Sequence, residues 1–166
     1  MTLSPLTRRA LASVTPYTPG KPIEEVQREL GLPSAVKLAS NENALGPSPK
    51  ALEAVRQALS SLHRYPDSHC YALVRKIAAL WAVTPEQVVV GNGSDELITL
   101  AVRALVNPGE EVVIAHPTFL IYRIAAQLAG AKVVTVPMRD FRYDLAAMRR
   151  AVTRRTKLVF IANPDN

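Results

Sequence analysis

The sequence has 166 residues, a length that suits one domain, and 48% of them are hydrophobic, enough for a substantial core. The formal charge of +6 and pI of about 9.8 come with only 5% aromatic residues and no basic run interleaved with aromatics. A preference for phosphorylated or acidic small molecules therefore fits the charge as well as nucleic acid does. Cys70 is the single cysteine, which excludes an internal disulfide and a cysteine-based metal cluster. Residues 1–14 hold no signal-like apolar run and no stretch is long enough to span a membrane, so a cytoplasmic protein is expected.

Residues 1–35 carry Pro5, Pro16, Pro19, Pro22 and Pro33, a density that argues against one long element. This stretch reads as an arm that packs elsewhere, with a short helix over residues 22–30 (Ile23, Val26 and Leu30 on one side) stopped by Gly31. Val36-Lys37-Leu38 reads as a short strand, followed by a polar loop. Ser48 as N-cap and Pro49 at the first helical position then open a helix bearing Leu52, Val55, Arg56 and Leu59 on one face. Pro66 breaks the chain and holds Tyr65 extended. A helix over residues 69–82 follows, with Leu73, Ile77, Leu80 and Trp81 assigned to the core.

Val88-Val89-Val90 reads as a buried strand. The turn Gly91-Asn92-Gly93 and a helix capped by Ser94, with Asp95 and Glu96 in its first turn, come next. The first amides of a helix lack partners within it and carry partial positive charge, so this arrangement suits an anion, and we read it as a phosphate cup. An ordinary Ser-capped turn is the alternative. Strands are expected at residues 111–115, 132–136 and 157–162, with helices from Phe119 to Gly130 and over residues 144–152. Strands alternating with helices predict a parallel sheet covered on both faces. The cluster Arg149, Arg150, Arg154 and Arg155 reads as a solvated face. His63, His69 and His116 have no ligand spacing. A dinucleotide site is disfavoured, because Glu96 stands where a third glycine is needed and the next strand ends in Ala115-His116-Pro117 rather than an acidic residue. No lysine follows the glycines, so a nucleotide P-loop fails too.

Five segments, in order, resemble the N-terminal part of the histidinol-phosphate aminotransferases, a pyridoxal-phosphate family of fold type I. Thr15-Pro16-Tyr17 resembles the arm of that family. Lys37-Leu38-Ala39-Ser40-Asn41-Glu42-Asn43 with Gly46-Pro47-Ser48-Pro49 resembles its lead-in loop, and Arg64-Tyr65-Pro66-Asp67 its tyrosine loop. Gly91-Asn92-Gly93-Ser94-Asp95-Glu96 resembles the cofactor phosphate cup, and Asn163-Pro164-Asp165-Asn166 the start of N-P-x-N-P-T-G. The resemblance implies an α/β fold, the N-terminal part of the large domain, with residues 1–35 as arm and 36–166 as a partial cofactor-binding domain. It implies pyridoxal 5'-phosphate as cofactor, and amino transfer between histidinol phosphate and 2-oxoglutarate by a homodimer. No metal, nucleic acid or membrane is expected.

The implied roles fall on named residues. Backbone amides of Gly93, Ser94 and Asp95 would hold the cofactor phosphate, and Phe119 would stack on the pyridine ring where many relatives carry Tyr. Asn166 would donate its amide to the phenolic oxygen. Tyr65 would reach the neighbouring subunit's phosphate, and Tyr17 and Asn43 would line the substrate pocket, Tyr17 from across the dimer. Ala44 stands where relatives have Pro, and Asp165 where Asn is more usual. The Schiff-base lysine, the aspartate on the pyridine nitrogen and the carboxylate-binding arginine are expected beyond residue 166. None of Lys21, Lys37, Lys50, Lys76, Lys132 or Lys157 stands in the lysine's expected context, so the chain alone is expected to be an inactive N-terminal part. In the same fold, an aromatic amino-acid aminotransferase or a threonine-phosphate decarboxylase is a second reading, and a non-catalytic fragment a third. The strand at residues 88–91 is not expected to pair with the three later strands.

Overall fold

The computed structural model describes residues 6–38 and 40–165. Among them the α-helices are α1 (Ile23–Leu30), α2 (Pro49–Ala58), α3 (Tyr71–Trp81), α4 (Gly93–Leu105), α5 (Leu120–Leu128) and α6 (Leu145–Ala151). The strands are β1 (Glu111–His116), β2 (Lys132–Pro137) and β3 (Thr156–Val159). The chain forms two compact units, residues 1–17 with 86–166, and residues 18–85. The proline-rich stretch of residues 1–35 contributes to both.

In the first unit the strands form one parallel sheet in the order β2-β1-β3. The uninterrupted apolar run Val112-Val113-Ile114-Ala115 explains why β1 is central, since it buries side chains on both faces. Val112 and Ile114 pack with Ile98 and Val102 of α4, with Val106 just past it, and with Ala125 and Ala126 of α5. Val113 faces the other way, onto Val136 and Met148 of α6. The doubly covered parallel sheet is the α/β architecture that the alternation of elements predicts.

One charged residue belongs to this core. Glu111, 1% exposed, opens β1 and is held from both neighbouring strands. Its carboxylate accepts from Thr153 Oγ1 at 2.6 Å and Arg155 Nη2 at 2.9 Å on the approach to β3, and pairs with Lys132 Nζ of β2 at 3.3 Å. The arginine cluster is therefore not wholly a solvated face, because Arg155 serves the core.

Several sequence expectations need correction. Residues 88–90 form no strand, although Val88 and Val90 are half-buried and Val89 is exposed. A strand needs a neighbour to bond with, and none of the three pairs with this stretch, as anticipated. Residues 36–38 likewise form no strand. Helix α4 starts at Gly93 and its N-cap is Asn92, not Ser94. Glu96 decides this by reaching back, its Oε2 accepting from Asn92 N at 2.6 Å and from Asn92 Nδ2 at 3.2 Å. In the second unit, Leu73, Leu80 and Trp81 are exposed, Trp81 by 72%. Of the four residues assigned to the core, Ile77 does turn inward, beside Val74 and Ala78. Leu52, Val55 and Leu59 are also exposed. Among the described residues α1, α2 and α3 make no close contacts with one another, so these apolar positions are left uncovered by their neighbouring helices.

The Thr153 hydrogen bond leads the contributions that hold the Glu111 carboxyl below its usual range, with Lys132 and Arg155 adding to it against the cost of burial. A lowered folded-state value stabilises above the ordinary carboxylate pKa of about 4.3, and the effect is lost as pH falls through the folded value. The melting temperature should therefore drop on acidification through and below that range. Glu111→Gln should melt lower at neutral pH and show a shallower acid limb. Thermal unfolding across pH, followed by circular dichroism, checks this, and parallel acid limbs for the two proteins would contradict it.

Candidate functional site

Parallel pairing puts the carboxyl ends of β1, β2 and β3 at one edge of the sheet, the edge where sites form in open α/β sheets. The β1 loop runs through Pro117 and Thr118 to Phe119, the N-cap residue of α5. Phe119 is half-buried against the core and meets Tyr122 edge-on at 5.7 Å. Tyr122 in turn stacks on Phe160, just past β3, at 4.4 Å and 11°. The loops after β1 and β3 are thus joined by an aromatic row. Asn166 lies outside the described residues.

Helix α4 packs on α5 in the same unit. Gly93 adopts φ +78°, a conformation that favours glycine, and a Cβ there would meet no protein atom within 4 Å. Its own N–H donates to Gly91 O at 2.9 Å, so that amide is already engaged. The amides of Ser94 and Asp95 have no protein partner among the described residues, and both residues are exposed. Glu96 occupies the Asn92 N–H and leaves these two facing solvent. Two unpaired amides at a helix start, beside an open glycine, form an arrangement that an anion fits. Tyr17 belongs to the same unit and is half-exposed.

Tyr65 and Asn43 belong to the unit of residues 18–85. Tyr65 is fully exposed. Its loop is fixed by Asp67, whose carboxylate accepts from His69 N at 3.0 Å and Tyr71 N at 2.8 Å at the start of α3. These two backbone bonds, that of Tyr71 first, hold the Asp67 carboxyl below its usual range. Asn43 uses its side chain on its own turn. Its Oδ1 accepts from Leu45 N at 3.1 Å and its Nδ2 donates to Gly46 O at 3.0 Å. Lys37 and Glu42 pair at 2.7 Å in the same loop.

Sequence reasoning missed Tyr143 and Thr118. Tyr143 Oη lies 2.8 Å from Thr118 Oγ1, and both hydroxyls reach Asp165 Oδ1, at 2.7 and 2.8 Å. Burial, ahead of the other influences, pushes the Tyr143 hydroxyl above the usual tyrosine range. No local pattern flags it, because its partners are 22 and 25 residues away.

A family model described as aminotransferase class I and II matches residues 33–166. A histidinol-phosphate aminotransferase of Anaeromyxobacter sp. is 56% identical over 163 residues, and one of Moorella thermoacetica 51% over 162. Each alignment covers 98% of this chain but only 45% and 42% of those relatives, so the chain spans less than half their length. The crystal structure of a histidinol-phosphate aminotransferase from Sinorhizobium meliloti in complex with pyridoxal-5'-phosphate superposes with a TM-score of 0.84 at 30% identity. It covers 99% of this chain and 44% of that one. An aspartate aminotransferase from Thermotoga maritima aligns over 96% of this chain with a TM-score of 0.71 at 25% identity. The motif resemblance is borne out over nearly the whole chain, which belongs to the aminotransferase class I and II family.

Proposed function

We propose that these residues form the phosphate-binding part of a pyridoxal-phosphate-dependent aminotransferase that moves an amino group between histidinol phosphate and 2-oxoglutarate. The observation that carries this reading is the start of α4, where the Ser94 and Asp95 amides have no protein partner beside Gly93 at positive φ. Relatives at 51% and 56% identity, both histidinol-phosphate aminotransferases, support the substrate class. In this reading residues 1–35 act as an arm and residues 36–166 belong to the cofactor-binding domain of a dimeric, cytoplasmic enzyme.

Bound pyridoxal phosphate would supply the electron sink that amino transfer requires. The amides of Ser94 and Asp95 would hold its phosphate at the dipole of α4, with Gly93 keeping a Cβ out of the approach. Phe119 would cover one face of the ring, and the Asn166 side chain would donate to its phenolic oxygen. Tyr65, exposed on a loop pinned by Asp67, is free to extend toward a partner subunit's phosphate. Tyr17 and Asn43 would shape the substrate pocket, Asn43 through the turn it fixes. The lysine that carries the covalent chemistry is not among the six of this sequence in any expected context, so the activity is proposed for the complete enzyme and not for these residues alone.

The direct test is turnover. The complete enzyme carrying these residues should convert histidinol phosphate with 2-oxoglutarate, and prefer it over aromatic amino acids. Equal or better turnover of phenylalanine or tyrosine would move the assignment to the aromatic aminotransferases. Residues 1–166 alone should show none.

Gly93→Val probes the cup. A β-branched side chain is strained at φ +78° and projects into the space left for phosphate. Cofactor affinity, read by absorbance titration, should fall, and an unchanged affinity would remove Gly93 from the site.

Tyr65→Phe deletes one charge-assisted hydrogen bond, worth about 1.5–3 kcal/mol, which corresponds to a roughly ten- to hundredfold weaker cofactor. Heterodimers with the change in one subunit should keep one tight site and lose the other. Two equivalent sites in such heterodimers would show that Tyr65 does not act across the interface.

A further inference from the structure

The loops after all three strands meet at one side chain. Tyr143 lies between β2 and α6, and its ring packs against the Val113, Val136 and Met148 cluster on the α6 face of the sheet. Its Oη donates to Asp165 Oδ1 at 2.7 Å and accepts from the Ala162 N–H at 3.2 Å, both in the loop after β3. It also lies 2.8 Å from Thr118 Oγ1 in the loop after β1, and Thr118 Oγ1 reaches the same carboxylate oxygen at 2.8 Å. One hydroxyl, anchored through its ring to the core, thus sets the spacing of two loops. One loop presents Phe119. The other leads in sequence to Asn166.

We propose that Tyr143 is a positioning residue for the bound cofactor ring, acting through Thr118 on the loop that carries Phe119 and through Asp165 on the loop after β3. This rests on the cofactor reading above. Asp165 departs from the Asn more usual in the family, and here its Oδ1 gathers both hydroxyls. An amide oxygen could accept the same two bonds, so Asn is tolerated at this position by the same geometry. An apolar side chain could not accept them. Removing the Tyr143 hydroxyl leaves the ring packing intact. It strips Asp165 of one donor and the Ala162 N–H of its acceptor, freeing the two loops to shift against each other.

The test uses the complete holoenzyme and its apo form. Two quantities are read that general stability does not set. One is the dissociation constant for pyridoxal phosphate, from quenching of protein fluorescence. The other is the pH midpoint of the bound cofactor's visible absorption band. Tyr143→Phe should weaken the cofactor about tenfold, the scale of one lost hydrogen bond. It should also move the absorption midpoint by about half a pH unit or more, as the ring's surroundings change. Asp165→Ala should reproduce both effects, whereas Asp165→Asn should stay near wild type. Should Tyr143→Phe not fold, Thr118→Val and the Asp165 pair carry the same two readouts. Wild-type affinity and midpoint in Tyr143→Phe, with only the apo melting temperature lowered, would overturn the proposal while leaving the cofactor reading in place. A wild-type enzyme that binds no pyridoxal phosphate would overturn both.

Discussion

A buried carboxylate sets the frame. Glu111 opens the central strand with almost no solvent contact, and an unpaired charge there would be costly. Its partners come from both flanks, Lys132 on β2 and Thr153 and Arg155 ahead of β3. Backbone bonds follow the same path, with Lys132 N donating to Glu110 O at 2.8 Å and Glu111 N to Arg155 O at 2.9 Å. The three strands are therefore tied together where they begin. Because they are parallel, aligned starts mean that all three end at the opposite edge, where the loops bearing Phe119, Tyr143 and Asp165 emerge. Removing one partner of such a buried group costs more than the pair contributes over an apolar substitute. Glu111 therefore ties the starts of the strands together at a position where losing one partner is costly.

Burial is distributed unevenly between the two units. The unit holding the sheet owns nearly all the fully buried apolar residues, in two clusters on either side of β1. Among the described residues of the unit 18–85 only Ala78 is fully buried, and Leu38, Leu45, Leu62, Leu80 and Trp81 are open to solvent. Its helices keep good local signals. Helix α1 ends at Gly31 with φ +64°, α2 begins with Pro49, and the first amide of α3, that of Tyr71, donates to Asp67. Local signals are enough to form a helix, but they do not supply a layer for its apolar face.

That contrast explains what the sequence disclosed. Features encoded by near neighbours were legible. The helix expected over residues 22–30 is Ile23–Leu30, and the strands expected at residues 111–115 and 132–136 are Glu111–His116 and Lys132–Pro137. Features that depend on a distant partner were not. Val88-Val89-Val90 has strand composition but no neighbour, so it stays irregular. The sequence points to Ser94 as the cap of α4, but the N-cap lies two residues earlier at Asn92, where Glu96 reaches back to it. The core assignment of Leu73, Leu80 and Trp81 followed apolar character, while the packed stripe is Val74, Ile77 and Ala78. No local pattern marks Glu111 as a buried, paired charge, because its partners lie 21, 42 and 44 residues away. The motifs of the candidate site were legible because each is short and contiguous, whereas the hydroxyl of Tyr143 enters only through the fold.

In the proposed reading, the two means of holding a ligand in this unit differ in kind, and the difference follows from where each begins. The start of α4 offers backbone amides, held by a helix whose Ile98 and Val102 are locked into the core. No rotamer has to be frozen to place them, so an anion bound there costs little side-chain entropy. The carboxyl edge of the sheet offers side chains on loops, and loops need bracing before they can place a ring to the half-ångström that a catalytic site demands. The aromatic row Phe119, Tyr122 and Phe160 supplies one brace, and the oxygens of Thr118, Tyr143 and Asp165 a second. The first is broad and tolerant of small shifts, since stacking energy varies slowly with offset. The second is directional, since a hydrogen bond weakens steeply as its angle bends. In the proposed reading, anchoring a phosphate falls to the helix and orienting a ring falls to the braced loops. In that reading the directional brace is the one that would fix the ring's angle.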